Sequence, residues 1–595
     1  MTNDFLASIK DKQLVLRGSG QEAEQFLLQW NNYYHLIIKY IDKSFADIES
    51  VMDNNPQKIG KNFHDIKIVK PAESYEENLF FIVAIYKRKE IFSELLNLGY
   101  KENIDFQYHD LFLKKVRFDL SEKIKNILKK LFDDGIIKTS ASELENESLY
   151  SQSLIYKKIE QSNLYENEKN LLLELLLENI IKNWLKEKDD KKRIINLTDY
   201  FPLADIIAAL CTICENNIEE LEPLYQDDIH KNKISKKIQT IGIYSPKFAN
   251  GGAERVLSIL LPIFIELQYN IILFTDFFEE EEYNLPKEVK RIVIKNQHLF
   301  NFKIRLKEYE NYIKKYNIDI IFINCFSDSL KYFYEPLFFK LLNIPVISEA
   351  HTVFFRFIKR QSPWLNKWQQ IYKVMNKIIV LSRIDKLYWE ALFCNAKYIP
   401  NPIENGKELW NLPIKFNKRN GKSILWIGRA SDKMKNLSDT VLIMNEVIKQ
   451  IPDAMLKIVG STKGTEDFFI LIKKYHLENN IKLLGYYSNL DTFYEEADVM
   501  IMTSDYEGFP MIMTEAKLHG VPIIMYELPY LELVRDRRGI FEVSPRDTKA
   551  TANAIVKILS DDKLRHRMSI ESKRSLYPFV FYDIKGAWKE VFEEI

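Results

Sequence analysis

Two glutamates separated by seven residues are the first groups in this sequence whose spacing could serve a reaction. In SDYEGFPMIMTEAKLHGVP, Glu507 ends the loop after the strand VMIMTS, and Glu515 falls inside the following helix. One strand-loop-helix element can therefore aim both carboxylates at one ligand, and amides near a helix start can bind phosphate. The alternative is ordinary helix surface, but Gly-Phe-Pro favours a defined loop. The candidate phosphate-binding residues at this helix start are Gly508, Phe509, Pro510 and Met511.

Two cations follow the strand SILWIGR. Arg429 closes this strand, and Lys435 lies six positions further on. Open α/β sheets bind ligands at the carboxyl ends of their parallel strands. Two fixed cations there can neutralise a diphosphate as it departs, although a solvated surface pair would have the same sequence.

Two further motifs follow predicted strands. In SPKFANGGAERV, Gly251 and Gly252 open a helix and let backbone amides approach an anion, although a plain turn uses the same glycines. His351 follows the strand in VISEAHT, at the edge of the sheet where a cleft would form. A lone histidine is usually structural, but this position favours a functional role.

A third motif lies near the N-terminus. Gly18, Gly20 and Ala23 form G-x-G-x-x-A after a strand, and Asp42 ends the next predicted strand, LIIKYI. This is the spacing of a dinucleotide fingerprint, in which glycines approach phosphate and an acid binds a ribose hydroxyl. A nucleotide site and a structural or partner-docking role both remain open.

The strand and helix patterns indicate four segments that position these motifs. Strand-helix alternation predicts a small Rossmann-like domain over residues 1–118, and long Leu/Ile/Lys/Glu patterns predict a helical linker or subdomain over 119–236. From Gln239 the alternation resumes, with one lobe over 237–400 and a second lobe over 401–595. The fold class is therefore α/β, with two Rossmann-like lobes facing a cleft. The predicted strands of the two lobes are IGIYS, NIILFTD, IDIIFIN, PVISEA and KIIVLS, then SILWIGR, MLKIVGS, IKLLG, VMIMTS and VPIIMY.

Composition excludes several classes of protein. The 84 basic and 84 acidic residues cancel, so no whole-chain charge favours nucleic acid. Four cysteines in 595 residues suit a reducing compartment rather than a disulfide framework. The N-terminal residues lack the order of a signal peptide, and no apolar run approaches the roughly 20 residues of a membrane span. We expect a cytoplasmic protein, at most peripheral at the inner face of the membrane.

Together the C-terminal motifs resemble the retaining glycosyltransferases of family 4, over roughly residues 237 to 595. The resemblance rests on the Glu507 and Glu515 spacing, on Arg429 with Lys435, and on NGGAERV. It implies the two-lobed GT-B fold, with an acceptor-side lobe over 237–400 and a donor-nucleotide lobe over 401–595. It also implies a UDP- or GDP-linked sugar donor as substrate, with no cofactor required. The sugar would pass with retention to a cell-surface glycan or lipid-linked acceptor, as in bacterial capsule or lipopolysaccharide synthesis.

The resemblance also implies roles for individual residues. Arg429 and Lys435 would hold the donor diphosphate, with the Gly251-Gly252 loop assisting, and Glu515 would hydrogen-bond the ribose. Glu507 would contact the sugar where positive charge develops, and His351 would lie beside that sugar. The departing phosphate would act as base, so the site must supply charge stabilisation.

No D-x-D triplet occurs in the chain, and the two cations would take the electrostatic role of a metal. Departures from the family pattern leave the nucleotide and sugar open: Pro510 in the glutamate loop, and Lys517, Leu518 and His519 in place of small residues. In this fold the last helix, with apolar residues from Ala587 to Ile595, is expected to cross back onto the first lobe.

Two questions of partners stay open. The segment HTVFFRFIKRQSPWLNKW mixes cations with aromatic residues and could meet a lipid-linked acceptor at a membrane, or could be a packed loop. The N-terminal unit resembles small Rossmann-like domains fused to polysaccharide-biosynthesis enzymes, and residues 1–236 could dock a partner. The segment's cations are Arg356, Lys359 and Arg360, and its aromatic residues are Phe354, Phe355, Phe357 and Trp364.

Two other functions compete with transfer. One is a catalytically inactive scaffold that binds sugar nucleotides within a polysaccharide-assembly complex, and the other is a sugar-nucleotide epimerase with the same two lobes. A phosphorylase would need a cofactor lysine site that the sequence does not reveal. The joint presence of the cations, the two glutamates and His351 argues against an inactive scaffold.

Overall fold

The computed structural model describes most of the chain, and its compact parts are two units, Met1–Glu215 and Asn216–Ile595. The described residues are 4–53, 55, 57–71, 76, 78–84, 88–138, 144, 146–187, 192–214, 217–230, 237–249, 251–294, 302–325, 331–359, 365–416, 419–429, 433–460, 466–487 and 489–595. The four-segment division made from sequence stays a prediction.

The first unit contains a six-stranded sheet of order β3-β4-β2-β1-β5-β6. Its neighbouring strands are parallel except for the β3 and β4 pair. The central strands β1 and β5 are buried, as expected for a parallel sheet covered on both faces. The strands are β1 Gln13–Arg17, β2 Ile48–Met52, β3 Asn62–Phe63, β4 Ile66–Val69, β5 Leu79–Val83 and β6 Phe106–Tyr108.

The strand predicted at LIIKYI is wrong. The helix that begins at Gln21 runs to Leu36 and continues as a π-helical turn over Ile37–Ile41. Asp42 therefore ends a helix, and the true second strand, β2, begins six residues later. The buried residues of this stretch recur every three or four positions, at Tyr33, Leu36, Ile37 and Tyr40, which is helical spacing.

Helices make up the rest of the first unit. Its long helix Glu166–Lys186 buries a leucine-rich face, which explains the absence of strand alternation in this part of the sequence. The α-helices are Phe5–Ile9, Gln21–Leu36, Arg88–Asn97, His109–Glu122, Ile124–Asp133, Leu149–Glu160, Glu166–Lys186 and Leu203–Cys214, with a 3-10 helix at Ile194–Asp199.

The second unit contains two parallel sheets, one in each predicted lobe. The first has the order β13-β12-β11-β10-β7-β8-β9, and the second has the order β16-β15-β14-β17-β18-β19. The first-sheet strands are β7 Thr240–Tyr244, β8 Asn270–Thr275, β9 Lys290–Val293, β10 Ile320–Ile323, β11 Val346–Ala350, β12 Lys377–Val380 and β13 Ala396–Tyr398. The second-sheet strands are β14 Ser423–Ile427, β15 Met455–Val459, β16 Ile481–Gly485, β17 Val499–Met502, β18 Ile523–Tyr526 and β19 Ile540–Val543.

Helices follow these strands in the right order for doubly wound sheets. Those up to the second sheet are Glu222–His230, Gly252–Glu266, Phe302–Tyr316, Lys331–Leu341, Phe354–Lys359, Leu365–Val374, Arg383–Ala391 and Gly406–Asn411. Those after its first strand are Leu437–Val447, Glu466–Lys474, Asp491–Glu496, Met511–Leu518, Thr548–Ser560, Asp562–Ser575, Tyr577–Val580 and Ile584–Glu593. Short 3-10 helices lie at Ile218–Leu221, Lys433–Lys435 and Glu532–Val534.

The last helix packs on the first lobe. The Trp588 ring is buried, with its centroid 5.2 Å from that of Phe264 and 5.1 Å from that of Phe322. Lys397 also pairs with Glu590 at 3.0 Å. Residues near the C-terminus therefore complete the core of the first lobe. Among the described residues, no helix combines the length and apolar character needed to cross a membrane.

Candidate active site

The strand order of both sheets reverses beside the predicted site residues. In the first sheet the chain leaves β7 toward β8 and β9, and then returns to the other side of β7 with β10. In the second sheet β14 and β17 flank the corresponding reversal. The carboxyl ends of strands at such a switch point form a crevice in which open α/β sheets bind ligands. The residues that follow β7, β10, β14 and β17 are therefore placed to form a site.

The two loops of the second lobe are joined by hydrogen bonds. Lys435 forms an ion pair with Glu507, so that the two predicted charges meet. Thr503 Oγ1 donates to the Lys435 carbonyl at 2.6 Å, and Asn436 Nδ2 donates to the Thr503 carbonyl at 2.8 Å. These bonds fix the loop after β14 against the loop after β17. The lysine and the glutamate are thereby held at one end of the sheet.

Gly508 brings this loop into contact with the first lobe. A Cβ at Gly508 would lie only 2.9 Å from the His351 carbonyl oxygen, a distance that real Cβ atoms avoid. In the next residue, the carbonyl of Phe509 accepts a hydrogen bond from Asn401 Nδ2 at 3.3 Å. The backbone at Glu507 and Gly508 therefore lies against His351, and a side chain at Gly508 would separate them.

The His351 side chain is only 11% exposed, and it is electrically neutral. Burial lowers its pKa to about 3, so the imidazole carries no charge at neutral pH. Its Nε2 lies 2.9 Å from Asn324 Oδ1, while Asn324 Nδ2 donates to the Ala253 carbonyl at 3.2 Å. Because the amide nitrogen is used in this way, Oδ1 faces the imidazole and Nε2 is the donor. Asn324 thus links His351 to the first turn of the helix that begins at Gly252.

Glu349 lies two residues before His351 on β11. Its carboxyl is buried, with Oε2 at 3.8 Å from His351 Nε2. Burial raises the pKa of Glu349 to about 8, so the carboxyl is protonated at neutral pH. The pair His351 and Glu349 therefore contributes no net charge to this part of the cleft.

Glu515 is held from both lobes. Its Oε1 pairs with Arg255 Nη1 at 2.5 Å, and its Oε2 accepts a hydrogen bond from Tyr494 OH at 2.8 Å. Burial raises the pKa of Glu515, and the Arg255 charge opposes that rise. Arg255 also reaches Glu404, whose Oε2 lies 3.3 Å from Nη2. One guanidinium thus joins the first-lobe helix to the second lobe and to the segment between them.

The glycine loop and Arg429 belong to the same region. Gly251 is the N-cap of the helix Gly252–Glu266, with φ of −145°, so the first helical amides are directed out of the helix end. Arg429 is exposed and follows β14 by two residues. Burial raises the pKa of Glu254 in the first helical turn, and the charges of Lys247 and Arg429 oppose that rise. Arg429 is therefore near this helix N-terminus.

Lys517 and His519, two of the departures from the family pattern, lie in different surroundings. Lys517 Nζ donates to the Leu533 carbonyl at 2.7 Å and to Ser575 Oγ at 2.8 Å, and burial lowers its pKa to about 7. This lysine lies in the core behind the helix. The His519 ring stacks on Tyr494, with centroids 5.3 Å apart, and so supports the tyrosine that binds Glu515.

The basic and aromatic segment is partly packed. The Phe354 ring stacks on Tyr388 with centroids 4.4 Å apart, and the Phe355 ring lies 5.1 Å from that of Tyr530. Arg360 and Trp364 lie outside the described residues, as do the side chains of Phe357 and Lys359. In the described part, these two phenylalanines pack within the protein rather than toward solvent.

The N-terminal candidates lie in the other unit. Gly18 follows β1 with φ of 117°, Gly20 caps the next helix, and Ala23 is fully buried. Asp42 does not occupy the predicted strand end and instead pairs with Lys10 at 2.8 Å. The acid that follows β2 is Asp53, which accepts a hydrogen bond from Ser19 Oγ. If this unit binds a ribose as predicted, Asp53 is better placed than Asp42.

Sequence analysis missed four residues of the site, which are Arg255, Asn324, Glu349 and Tyr494. Arg255 stands inside the NGGAERV motif, and Asn324 ends the strand IDIIFIN, so both carried a positional signal. Glu349 and Tyr494 carried none, because their roles depend on burial and on partners distant in the sequence. Among the described residues, no group of three or more His, Cys, Asp or Glu side chains is placed to hold a metal ion.

Two doubly wound lobes, with polar residues at both switch points, define the class as α/β with a GT-B glycosyltransferase fold. A solved structure supports this: Anabaena HepE, determined with UDP and glucose, superimposes with a TM-score of 0.51 at 16% identity, covering 60% of this chain and 100% of that protein. The family described as glycosyl transferases group 1 matches residues 410–575. The C-terminal region therefore carries a glycosyltransferase group 1 domain, and the predicted fold class is confirmed.

Curated bacterial proteins are also similar to parts of this chain. The poly(glycerol-phosphate) alpha-glucosyltransferase of Bacillus subtilis is 32% identical over 138 residues, which is 23% of this chain and only 20% of that protein. A Campylobacter jejuni alpha-1,4-N-acetyl-D-galactosaminyltransferase, named for an undecaprenol-linked glycan, is 23% identical over 370 residues, covering 58% of this chain and 96% of the relative. The predicted glycosyltransferase relationship is thus confirmed, while its finer details remain proposals.

Proposed function

We propose that this chain is a retaining glycosyltransferase that moves a sugar from a UDP- or GDP-linked donor to a cell-surface glycan or lipid-linked acceptor. The observation that carries the proposal is the contact of Gly508 with the His351 backbone. Through it, the loop that carries the Lys435 and Glu507 pair lies against the backbone of His351. The Campylobacter relative, whose name includes an undecaprenol-linked glycan, supports a lipid-linked acceptor.

The donor would lie across both lobes. Arg429 and Lys435 bind the diphosphate, assisted by the helix N-terminus at Gly251 and Gly252. Glu515 binds the ribose hydroxyls, and Glu507 lies beside the sugar. In this arrangement the two cations and the helix end supply fixed positive charge where the leaving diphosphate becomes more negative.

The reaction needs no protein nucleophile. The bond between the anomeric carbon and the diphosphate oxygen breaks, and the electron pair stays on that oxygen. The acceptor oxygen then bonds to the anomeric carbon from the same face and gives its proton to the departing phosphate. Glu507 stabilises the positive charge at the anomeric carbon, and neutral His351 hydrogen-bonds the sugar without adding repulsion. The configuration is retained.

The acceptor side would touch a membrane surface. Phe354 stacks on Tyr388, so the helices Phe354–Lys359 and Arg383–Ala391 are neighbours. They expose Ile358, Ile384 and Leu387, with Leu387 67% exposed. Apolar side chains flanked by cations suit the interface of an anionic bilayer. Loss of binding to phosphatidylglycerol vesicles in Leu387→Glu would support this contact, and unchanged binding would refute it.

Residues 1–236 are proposed to dock a partner or bind a nucleotide. The two functions make different predictions for the hydrogen bond from Ser19 Oγ to Asp53. A nucleotide would compete for the Asp53 carboxylate, whereas partner docking would leave the bond between these side chains in place.

The central test is a double variant, Arg429→Ala with Lys435→Ala. We expect transfer to fall by about 10³-fold or more, because loss of one fixed donor to a developing negative charge costs about 10² to 10³. The control is Lys563→Ala with Arg567→Ala, which removes two exposed cations elsewhere in the lobe. Unchanged turnover in the first variant would refute the diphosphate assignment.

Three further measurements separate the rival functions and the finer details. An inactive scaffold would release no nucleotide from any donor, and an epimerase would interconvert donor sugars without an acceptor. The anomeric proton coupling in the product decides retention, since inversion would contradict the mechanism. Full activity after chelation with EDTA is expected if the two cations act in place of a metal.

A further inference from the structure

Arg255 forms an ion pair with Glu515, the residue predicted to bind the ribose. Its Nη1 lies 2.5 Å from Glu515 Oε1, while Tyr494 OH donates to Oε2. Both carboxylate oxygens of Glu515 therefore have partners already. Arg255 is only 28% exposed in its side chain and Glu515 is 14% exposed, so water competes weakly for this pair.

A ribose cannot bind Glu515 in this arrangement without replacing a partner. Tyr494 is buried and braced by the His519 ring, whereas Arg255 is the more exposed partner and belongs to the opposite lobe. Arg255 is therefore the partner that a ribose hydroxyl would displace. The exchange costs little in hydrogen bonding if the freed guanidinium finds another anion.

The position of Arg255 supplies such an anion. It lies three residues after Gly252, in the first turn of the helix whose amides are proposed to bind the diphosphate. A guanidinium released from Glu515 at this helix start is within one side-chain length of a phosphate bound there. A guanidinium can bind phosphate oxygens with two parallel hydrogen bonds.

Resting on the proposed function, we propose that Arg255 is a donor-responsive latch between the lobes. Without donor it closes the cleft by pairing with Glu515 and Glu404. With donor it gives up Glu515 to the ribose and transfers to the diphosphate. The nucleoside part of the donor thus displaces Arg255 from Glu515, and the diphosphate binds the released guanidinium. Arg255 is therefore a donor-binding residue whose partner changes when a complete nucleotide binds.

A matched control lies in the same two lobes. Arg383 of the first lobe pairs with Glu532 of the second, with its backbone N–H donating to Oε1 at 2.8 Å and its Nη1 at 3.3 Å from Oε2. Within the described part of the chain, the contacts of this arginine are with Glu532 and Tyr398, which are not residues of the proposed donor site. Replacing it removes an interlobe ion pair without affecting the exchange.

The test compares a nucleotide with its nucleoside on the full chain. Dissociation constants are measured by calorimetry or NMR for UDP and uridine, or for GDP and guanosine if the wild type prefers guanine. In Arg255→Ala we expect the diphosphate to bind about tenfold more weakly, because its cation is lost. The nucleoside should bind at least as tightly as to the wild type, because Glu515 is freed. Arg383→Ala should change neither value.

The outcomes are distinct. Equal weakening of nucleotide and nucleoside in Arg255→Ala would show a structural role and overturn the latch, as would no change in either. If Arg255→Ala does not fold, Arg255→Lys keeps the charge and should weaken the diphosphate less than threefold. A larger loss of diphosphate binding with unchanged nucleoside binding would show that the contact needs the planar guanidinium, which supports the phosphate contact. Parallel losses of diphosphate and nucleoside binding would again overturn the latch. A wild-type chain that binds neither UDP nor GDP would overturn the proposed function itself.

Discussion

Burial, rather than partner charges, decides the protonation of His351 and Glu349, the two first-lobe groups nearest the proposed sugar site. His351 is neutral because burial lowers its pKa to about 3, and Glu349 is protonated because burial raises its pKa to about 8. A charged imidazole would repel the positive charge that develops at an anomeric carbon. The low-dielectric surroundings of β11 therefore suit the proposed reaction.

Glu349 should make stability depend on pH. Its folded pKa of about 8 lies above the unfolded value of 4.5, so the folded state keeps a proton that the unfolded state loses. Stability is full below pH 4.5 and is lost as pH rises toward 8, by up to about 1.4 kcal/mol per pH unit. Glu349→Gln should flatten this slope in thermal unfolding between pH 5 and 8. A slope equal to that of the wild type would contradict the assignment.

Gly508→Ala should separate the glutamate loop from His351. The added Cβ would lie 2.9 Å from a backbone carbonyl oxygen, so the loop must shift, and small misplacements of reacting groups are costly. We expect about a tenfold loss of kcat with little change in thermal stability. Gly20→Ala is the matched control, because a Cβ there meets nothing within 4 Å and Gly20 lies outside the unit proposed for transfer. Equal turnover in the two variants would refute the contact's role.

At the scale of elements, every interior strand of the two lobes was predictable, whereas of their four edge strands only β16 was predicted. All five strands predicted in each lobe are present, but β9, β13 and β19 were missed, and each lies at the edge of its sheet. An edge strand is covered less completely, so its sequence carries fewer apolar residues. LIIKYI failed for the opposite reason, since a run of apolar β-branched residues inside a helix imitates a strand.

The site was predictable only where its residues follow strands. Arg429, His351 and Glu507 all lie within five residues of the end of a strand, which is a local signal. The pairing of Arg255 with Glu515 joins residues 260 positions apart, and no spacing within one lobe reveals it. Likewise, the position of Lys517 in the helix Met511–Leu518 suggested a residue of the donor pocket, but its side chain is buried behind that helix.

Glu515→Ala tests the helix of the glutamate element. The carboxylate should bind ribose hydroxyls, and hydrogen bonds to charged groups contribute about 1.5 to 3 kcal/mol. Donor affinity should therefore fall by about 10- to 100-fold, measured by calorimetry with the nucleotide diphosphate. Glu478→Ala removes an exposed glutamate of the same lobe and should leave the affinity unchanged. A donor affinity equal to the wild type's in Glu515→Ala would exclude the ribose contact.

At the scale of the molecule, every residue proposed for transfer lies within the unit Asn216–Ile595. A fragment of residues 216–595 should therefore fold cooperatively and hydrolyse the donor with the KM of the full chain. The full chain is the reference, measured under the same conditions. A fragment that folds but has a donor KM more than tenfold higher would show that the first unit contributes to donor binding.

The packing of Trp588 on Phe264 and Phe322 has a consequence for biosynthesis. The strands of the first lobe leave the ribosome long before residues 584–593 are made, and until then the lobe lacks an indole that fills its interior. A nascent chain must therefore keep an apolar groove exposed while more than 180 residues are translated. Chaperone contact during that interval is expected to concentrate on the groove that the helix Ile584–Glu593 finally covers.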